Sequence, residues 1–267
     1  MPPIPLTVGD LAVAGLLLLI NGGLSVALSL GLERTLVLAA ARMVAQLSLV
    51  GLVLKQLFAL QSPWLTLAAA LVMVLFAGHE ALARQERRLA GGWSYGLGTG
   101  AIGGATSLVM LLALLTAIRP APWWDARYAI PLLGMVLGNA LSGVSLALNT
   151  LTAAAVRERA AIEARLALGG TRWEAMQPLL RHALRTGLMP TINAMAVTGL
   201  VSLPGMMTGQ ILAGSDPGEA VKYQILIMFL ISGATGLGVL AATLGAVRRL
   251  TDARHRLRLD RLGGARR

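Results

Sequence analysis

Ile225-Leu-Ile-Met-Phe-Leu230-Ile-Ser-Gly-Ala-Thr235-Gly-Leu-Gly-Val-Leu240-Ala-Ala-Thr-Leu-Gly245-Ala-Val247 runs for 23 residues without a charged group and ends against Arg248-Arg249. About 20 apolar residues of helix cross the hydrocarbon core of a bilayer, so an uncharged run of this length closed by arginines reads as a transmembrane helix. Six further stretches reach the same length: Leu11–Leu32, Thr35–Leu60, Trp64–Ala83, Leu97–Ile118, Ala129–Leu151 and Leu188–Leu212. The fold class expected is an all-α integral membrane protein, a polytopic bundle of about seven transmembrane helices in a single domain over residues 1–267. Composition agrees. The 267 residues are 56% hydrophobic and 13% charged, whereas a soluble domain carries roughly 25% charged residues. A water-soluble enzyme and a disordered chain are both excluded. With no cysteine, disulfide frameworks, zinc knuckles and iron–sulfur ligation are excluded too.

The net charge of +11 would point to nucleic acid on a soluble protein, but its placement gives another meaning. Cytoplasmic loops retain Lys and Arg, which fixes orientation. With the N-terminus outside, 18 of the 23 basic residues fall on inner segments: Arg34, the 84–88 group, six from Arg157 to Arg185, and eight from Arg248 to Arg267. Lys55, Arg119, Arg127 and Lys222 fall outside, and Arg42 lies within a span. The expectation is a multi-pass plasma-membrane (bacterial inner-membrane) protein, N-terminus outside and C-terminus cytoplasmic, with no nucleic-acid partner. The basic tail 248–267 then touches anionic headgroups of the lipid bilayer or enforces topology. Met1–Gly9 carries no basic residue ahead of the first apolar run, so a cleaved signal peptide is not expected.

The connection Thr152–Gly187 is long and helical in pattern, broken at Gly169-Gly170. Gly169 suits a left-handed helix terminator, and Thr171-Arg172-Trp173-Glu174 is a capping box for a second helix. Trp173, Met176, Leu179 and Leu180 form an apolar stripe on that helix. Two readings stand for it: a docking face for a cytosolic partner, or packing against the inner ends of the spans. Glu163-Ala164-Arg165-Leu-Ala-Leu-Gly169 resembles the EAA loop of ABC-transporter membrane subunits, with Arg165 in place of the motif's second alanine. The chain cannot cradle ATP phosphates itself. A P-loop needs a Gly-Lys pair, and the two lysines, Lys55 and Lys222, follow Leu54 and Val221.

The stretch Gly199-Leu-Val-Ser202-Leu-Pro204-Gly205-Met206-Met207-Thr-Gly-Gln210 places Pro204-Gly205 inside an apolar run, which predicts a kinked or unwound span. Transporters place substrates at such breaks. Ser202, Pro204, Gly205, Gln210 and the thioethers of Met206 and Met207 are pathway candidates, with Asn139 and Gln46 from other spans, although methionines beside a kink also serve as fillers. Asn139 follows Gly134 and Gly138, a small-residue face suited to helix contact, and either joins the pathway or bonds across helices. Gly96, Gly100 and Gly104 repeat that face in the fourth span. Arg42 and Gln46 share one face, Arg42 about 12 Å into its span, where it faces the bundle interior or snorkels inward. His79-Glu80 would suit a zinc protease only with a histidine where Ala83 stands. Asp216-Pro217-Gly-Glu219 at the outer mouth reads as a helix start, with cation attraction as the other reading.

Three longer words then carry a family resemblance: Arg42-x-x-x-Gln46-Leu-x-x-Val-Gly-x-Val-Leu-Lys55, Ile130-Pro-Leu-x-Gly-Met-x-x-Gly-Asn139, and Gly199 through Gln224. They resemble the FetB-type (UPF0014) membrane subunit of a bacterial iron-export ABC transporter. The resemblance implies a permease working with a FetA-type ATP-binding subunit, a permease homodimer, and ATP-Mg bound on the partner, with no cofactor in this chain. It implies that Glu163, Ala164, Gly169, Gly170, Thr171, Arg172, Trp173 and Glu174 couple to the ATPase. The expected activity is metal export with no catalytic residue of its own and no metal-ligand set carried over. A permease of an importer or of a lipid or lipoprotein transporter, and a non-transporting scaffold, are the alternative functions.

Overall fold

A computed structural model describes residues 7–264 as nine α-helices with isolated bridges in place of strands. Residues 1–6 of the leading segment and 265–267 of the tail lie outside the described residues. Six helices are long and apolar enough to cross a membrane. They are α1 (Val8–Ala27), α2 (Glu33–Leu60), α3 (Pro63–Ala83), α4 (Trp93–Leu112, extended by a π-helical turn Ala113–Ile118), α5 (Ala126–Arg157) and α9 (Pro217–Leu250).

The expected span Leu188–Leu212 is broken, as Pro204-Gly205 predicts, with the unwound stretch at 198–204. Its first half belongs to α7 (Arg172–Val197) and its second half is the short α8 (Gly205–Leu212). The expected segment 152–187 is helical on both sides of the glycine pair, as its pattern predicts. α5 continues unbroken to Arg157, α6 occupies Arg159–Ala167, and α7 starts immediately after the glycine pair. The capping box starts α7, and the prolines Pro178 and Pro190 lie inside it without dividing it.

α5 and α9 pack along each other at the centre, flanked by α4 and α7, while α3 closes on α4 and α5. Lipid tails are as apolar as leucine, so close packing rather than burial drives helix association here. A close approach of α5, α7 and α9 is built from glycine. A Cβ at Gly143 would sit 2.6 Å from Thr235 Cγ2 and 2.9 Å from the Gly187 carbonyl, and one at Gly187 2.8 Å from Ala147 Cβ. Of the small faces expected at Gly134/Gly138 and Gly96/Gly100/Gly104, Gly134 meets α3, where a Cβ would sit 3.4 Å from Met73 Cε, and the rest are offset from the contacts. Gly138, Gly96, Gly100 and Gly104 have open space where a Cβ would project, and α3 meets α4 at Gly78 against Thr99 and at Gly103 against Val74.

The α1–α2 hairpin turns within Leu28–Leu32, where Ser29 and Gly31 have positive φ. The buried Ser25 hydroxyl ties the turn, donating to Glu33 and accepting the Leu32 N–H, each at 2.9 Å. This hairpin stands beside the bundle rather than in it. Leu57, packed with Ala126 and Ile130, is its main apolar attachment.

Candidate functional site

Three places gather the residues expected to act. At the first, α6 ends in a left-handed turn: Gly169 has φ +91° and the Gly170 N–H donates to the Arg165 carbonyl at 3.1 Å. The Thr171 hydroxyl accepts from the Glu174 N–H at 3.3 Å, and Glu174 accepts from the Thr171 N–H at 2.7 Å, completing the box. That backbone donor, helped by the Thr171 hydroxyl, holds the Glu174 carboxyl below its ordinary value. Arg165 donates to the Ala175 carbonyl at 3.2 Å, bracing the two arms of the turn.

The apolar stripe resolves in favour of packing. Met176 and Leu179 are fully buried against the bundle, and Trp173 is half-buried beneath the guanidinium groups of Arg172 and Arg248, 5.5 and 6.0 Å from its ring. The stripe is therefore no docking face. What projects instead is the tip: Ala164, Ala167 and Gly169 are exposed, and Leu168 is 88% exposed. Glu163, also exposed, is paired with Arg159 at 2.8 Å.

The sequence reading missed what seats this hairpin. The described part of the tail, to Gly264, is folded against the protein. The Arg172 N–H donates to His255 Nδ1 at 3.0 Å. Asp252 accepts the backbone N–H groups of Arg256 and Arg254, each at 2.9 Å, and the first of these is the main cause holding its carboxyl below the ordinary value. Leu262 bridges Leu89, the Ala90 N–H donates to the Arg261 carbonyl at 2.6 Å, and the Gly263 N–H to the Arg88 carbonyl at 2.7 Å. The signal was present in the leucines Leu257, Leu259 and Leu262 spaced among the arginines, which pack on the core.

The second place is the break between α7 and α8, at Thr198–Pro204. The loop satisfies much of its own backbone: the Gly199 N–H donates to the Ser202 carbonyl at 2.9 Å and the Ser202 N–H to the Val197 carbonyl at 3.2 Å. Gly199 adopts φ +91°. Ser202 is exposed beside Leu200, which is 93% exposed. Met206, Met207 and Gln210 lie half-buried on α8, which packs on α9, and the Gln210 Oε1 has no hydrogen-bond partner. Beyond it, Asp216 caps α9 by accepting from the Glu219 N–H at 3.1 Å, and Lys222 pairs with Glu219 at 2.7 Å. The helix-start reading of these carboxylates accounts for both contacts. Among the described residues no three His, Asp or Glu side chains converge to hold a metal ion.

The third place lies between α2, α3 and α5. Arg42 is ion-paired with Glu80, so it neither snorkels alone nor points into the bundle core. Gln46 lines the same cleft, while His79 is exposed beside it. Asn139 makes no hydrogen bond across helices: its exposed side chain donates back to the Met135 carbonyl of its own helix at 2.8 Å. The pathway candidates are thus divided. Gln46 belongs to the α2–α3–α5 cleft, and Ser202, Pro204, Gly205, Met206, Met207 and Gln210 to the α7–α8 break.

Residues 8–251 match the family described as "Uncharacterised protein family (UPF0014)". A UPF0014 membrane protein of Synechocystis is 40% identical over 80% of this chain and 82% of its own. The probable iron export permease protein FetB of Escherichia coli is 34% identical over 87% of this chain and 88% of its own. The protein ALUMINUM SENSITIVE 3 of Arabidopsis thaliana is 33% identical over 82% and 78%. No solved structure matches the chain. A match of this length, on a helical bundle with six candidate spans, settles the family: the chain is a member of the UPF0014 membrane proteins.

Proposed function

We propose that this chain is the permease subunit of an ABC exporter that moves iron or a related metal out of the cytoplasm, using ATP hydrolysed on a separate FetA-type subunit. The observation that carries the reading is the hairpin tip. A glycine-terminated, capped turn presents Leu168 and the exposed face of α6, in a relative of a protein named a probable iron export permease. Such a tip suits a cleft on an ATP-binding subunit, with Glu163, Ala164, Gly169, Gly170, Thr171, Arg172, Trp173 and Glu174 forming and supporting it.

α7 explains how force would travel. Its 26 residues make a continuous rod of about 39 Å from the hairpin to the break at Thr198. A push on the tip therefore reaches the α7–α8 loop without an intervening joint. Alternating access follows when ATP-driven closure favours one of two arrangements of α7 and α8 against α9. In this reading the arginine-rich end is cytoplasmic, and two such chains pair with two ATPase subunits.

The test is co-purification with the ATP-binding subunit and cellular metal content. Leu168→Asp places a charge at the contact and is expected to reduce association about tenfold or more, with cells retaining iron under iron load. Met206→Ala with Met207→Ala is expected to change metal efflux and leave association intact. Unchanged association of Leu168→Asp removes the coupling role. Loss rather than retention of metal in cells lacking the chain replaces export with import.

A further inference from the structure

The cleft between α2, α3 and α5 is used by neither the hairpin nor the α7–α8 break. Its volume is about 470 Å3, and its contents are ordered by polarity. At the end where α3 terminates sit Arg42, Glu80 and Arg84, with Gln46 nearby. Glu80 takes Arg42 as an ion-pair partner and has Arg84 Nε at 4.0 Å. One carboxylate thus aligns two guanidinium groups and neutralises one of them, leaving a net positive charge. Both arginine side chains are about half exposed, at 55% and 50%, so donors remain free. Deeper along the helices the lining turns apolar, with Met73, Phe76, Leu137 and Leu141. Gly138 contributes open space there, since a Cβ on it would meet nothing within 4 Å.

We propose that this cleft binds one anionic phospholipid of the adjoining leaflet, its phosphate held by Arg42 and Arg84 and an acyl chain laid along the apolar wall. An arginine at this depth is costly unless it finds an anion, and a guanidinium pairs with phosphate through two parallel donors. A cation at one end and an apolar trough beyond it match an amphiphile in the order a bilayer presents it. A zwitterionic headgroup brings its own cation and offsets the attraction, so the preference is for a lipid such as phosphatidylglycerol. The helix that forms one wall, α2, is held to the bundle mainly near Leu57, which leaves the cleft open sideways to lipid.

The experiment uses the full chain in a mild nonionic detergent, offered phosphatidylglycerol and phosphatidylcholine in equal amounts, with retained lipid counted by native mass spectrometry. One phosphatidylglycerol per chain is expected, in preference to phosphatidylcholine. Arg42→Gln with Arg84→Gln is expected to lower its retention by about tenfold or more. Gly138→Leu fills the trough without touching a charge and is expected to lower it as well, which keeps the test decisive if the double variant fails to fold. Glu80→Gln frees both guanidinium groups and is expected to leave retention undiminished. Excess inorganic phosphate is expected not to displace the lipid. Equal retention of the two lipids overturns the proposal. So does retention unaffected by Gly138→Leu, displacement by phosphate alone, or a loss in Glu80→Gln matching that of the arginine variant, which would make the three charges an ion-pair network and nothing more.

Discussion

Residues at a helix end have few chemical options, because the orphan backbone groups there need partners. Thr171 and Glu174, Gly169, and Asp216 before Pro217 each satisfy orphan groups at a helix end, and each stands in the structure as its type predicts. Polar residues inside the spans were read less well. Asn139 and Arg42 have several possible partners, and only packing selects among them: a carbonyl on its own helix for one, Glu80 on α3 for the other. The capping carboxylate carries a pH dependence whose sign follows from its shift. The Thr171 N–H holds Glu174 below 4.5 when folded, so its contribution is complete above that value and is lost as pH falls through the folded-state value. Hydrogen exchange at residues 171–175, corrected for intrinsic rate, is expected to rise on acidification below pH 4.5 and to lose that dependence in Glu174→Gln, which retains the box. A Gln variant with the same acid profile would place the titration elsewhere. Glycines offer a second contrast. Gly143→Val forces a side chain against Thr235 and the Gly187 carbonyl and is expected to cost about 1–3 kcal/mol, read as lowered thermal stability in detergent. Gly138→Ala projects into open space and is expected to be neutral or slightly stabilising.

At the scale of elements, hydropathy found the long helices because lipid demands length and apolarity from each one separately. It could not find which glycine face makes contact. Gly96, Gly100 and Gly104 share a stripe, yet α3 meets α4 through Gly78 and Gly103. Nor could it see that α7 runs through the expected membrane boundary, since its Arg172–Arg185 turns look cytoplasmic by composition while Met176 and Leu179 are core. The contacts of the tail are hidden for a related reason. Charge dominates its composition, and the three leucines that anchor it are too few to raise an apolar signal. Ending the chain at Thr251 removes His255 from the start of α7, Leu262 from Leu89 and the backbone pairs to Ala90 and Arg88. Leu89, only 3% exposed in the complete chain, would then face water. Trypsin is expected to cut faster at Arg87, Arg88 and Arg172 in the shortened protein, while the membrane-spanning fragments persist. An unchanged digestion pattern would mean that the tail lies on the protein without bracing it.

At the scale of the whole molecule, the charge asymmetry and the contacts converge on one geometry. α5 and α9 have 32 and 34 residues, about 48 and 51 Å of helix, against a hydrocarbon core of about 30 Å. Both carry arginine in their last turn, and there the remaining basic segments are gathered: the tail touches the α6–α7 hairpin through His255 and the 84–92 loop through Leu89. Three arginine-rich stretches far apart in sequence thus form one folded head on one end of the bundle. Cytoplasmic retention of arginine loops predicts that this head lies inside the cell. With six long helices among the described residues and one span split between α7 and α8, the same rule predicts that α1 starts on the side opposite the head. Because the sequence has no cysteine, a single introduced thiol reports its side unambiguously. Leu168→Cys and Arg254→Cys are expected to resist a membrane-impermeant maleimide in intact cells and to react in inverted vesicles, and Ser215→Cys to do the reverse. Opposite labelling of Leu168→Cys and Arg254→Cys would break the head apart. Labelling of both from outside would invert the bundle and remove the hairpin from reach of any cytosolic ATPase.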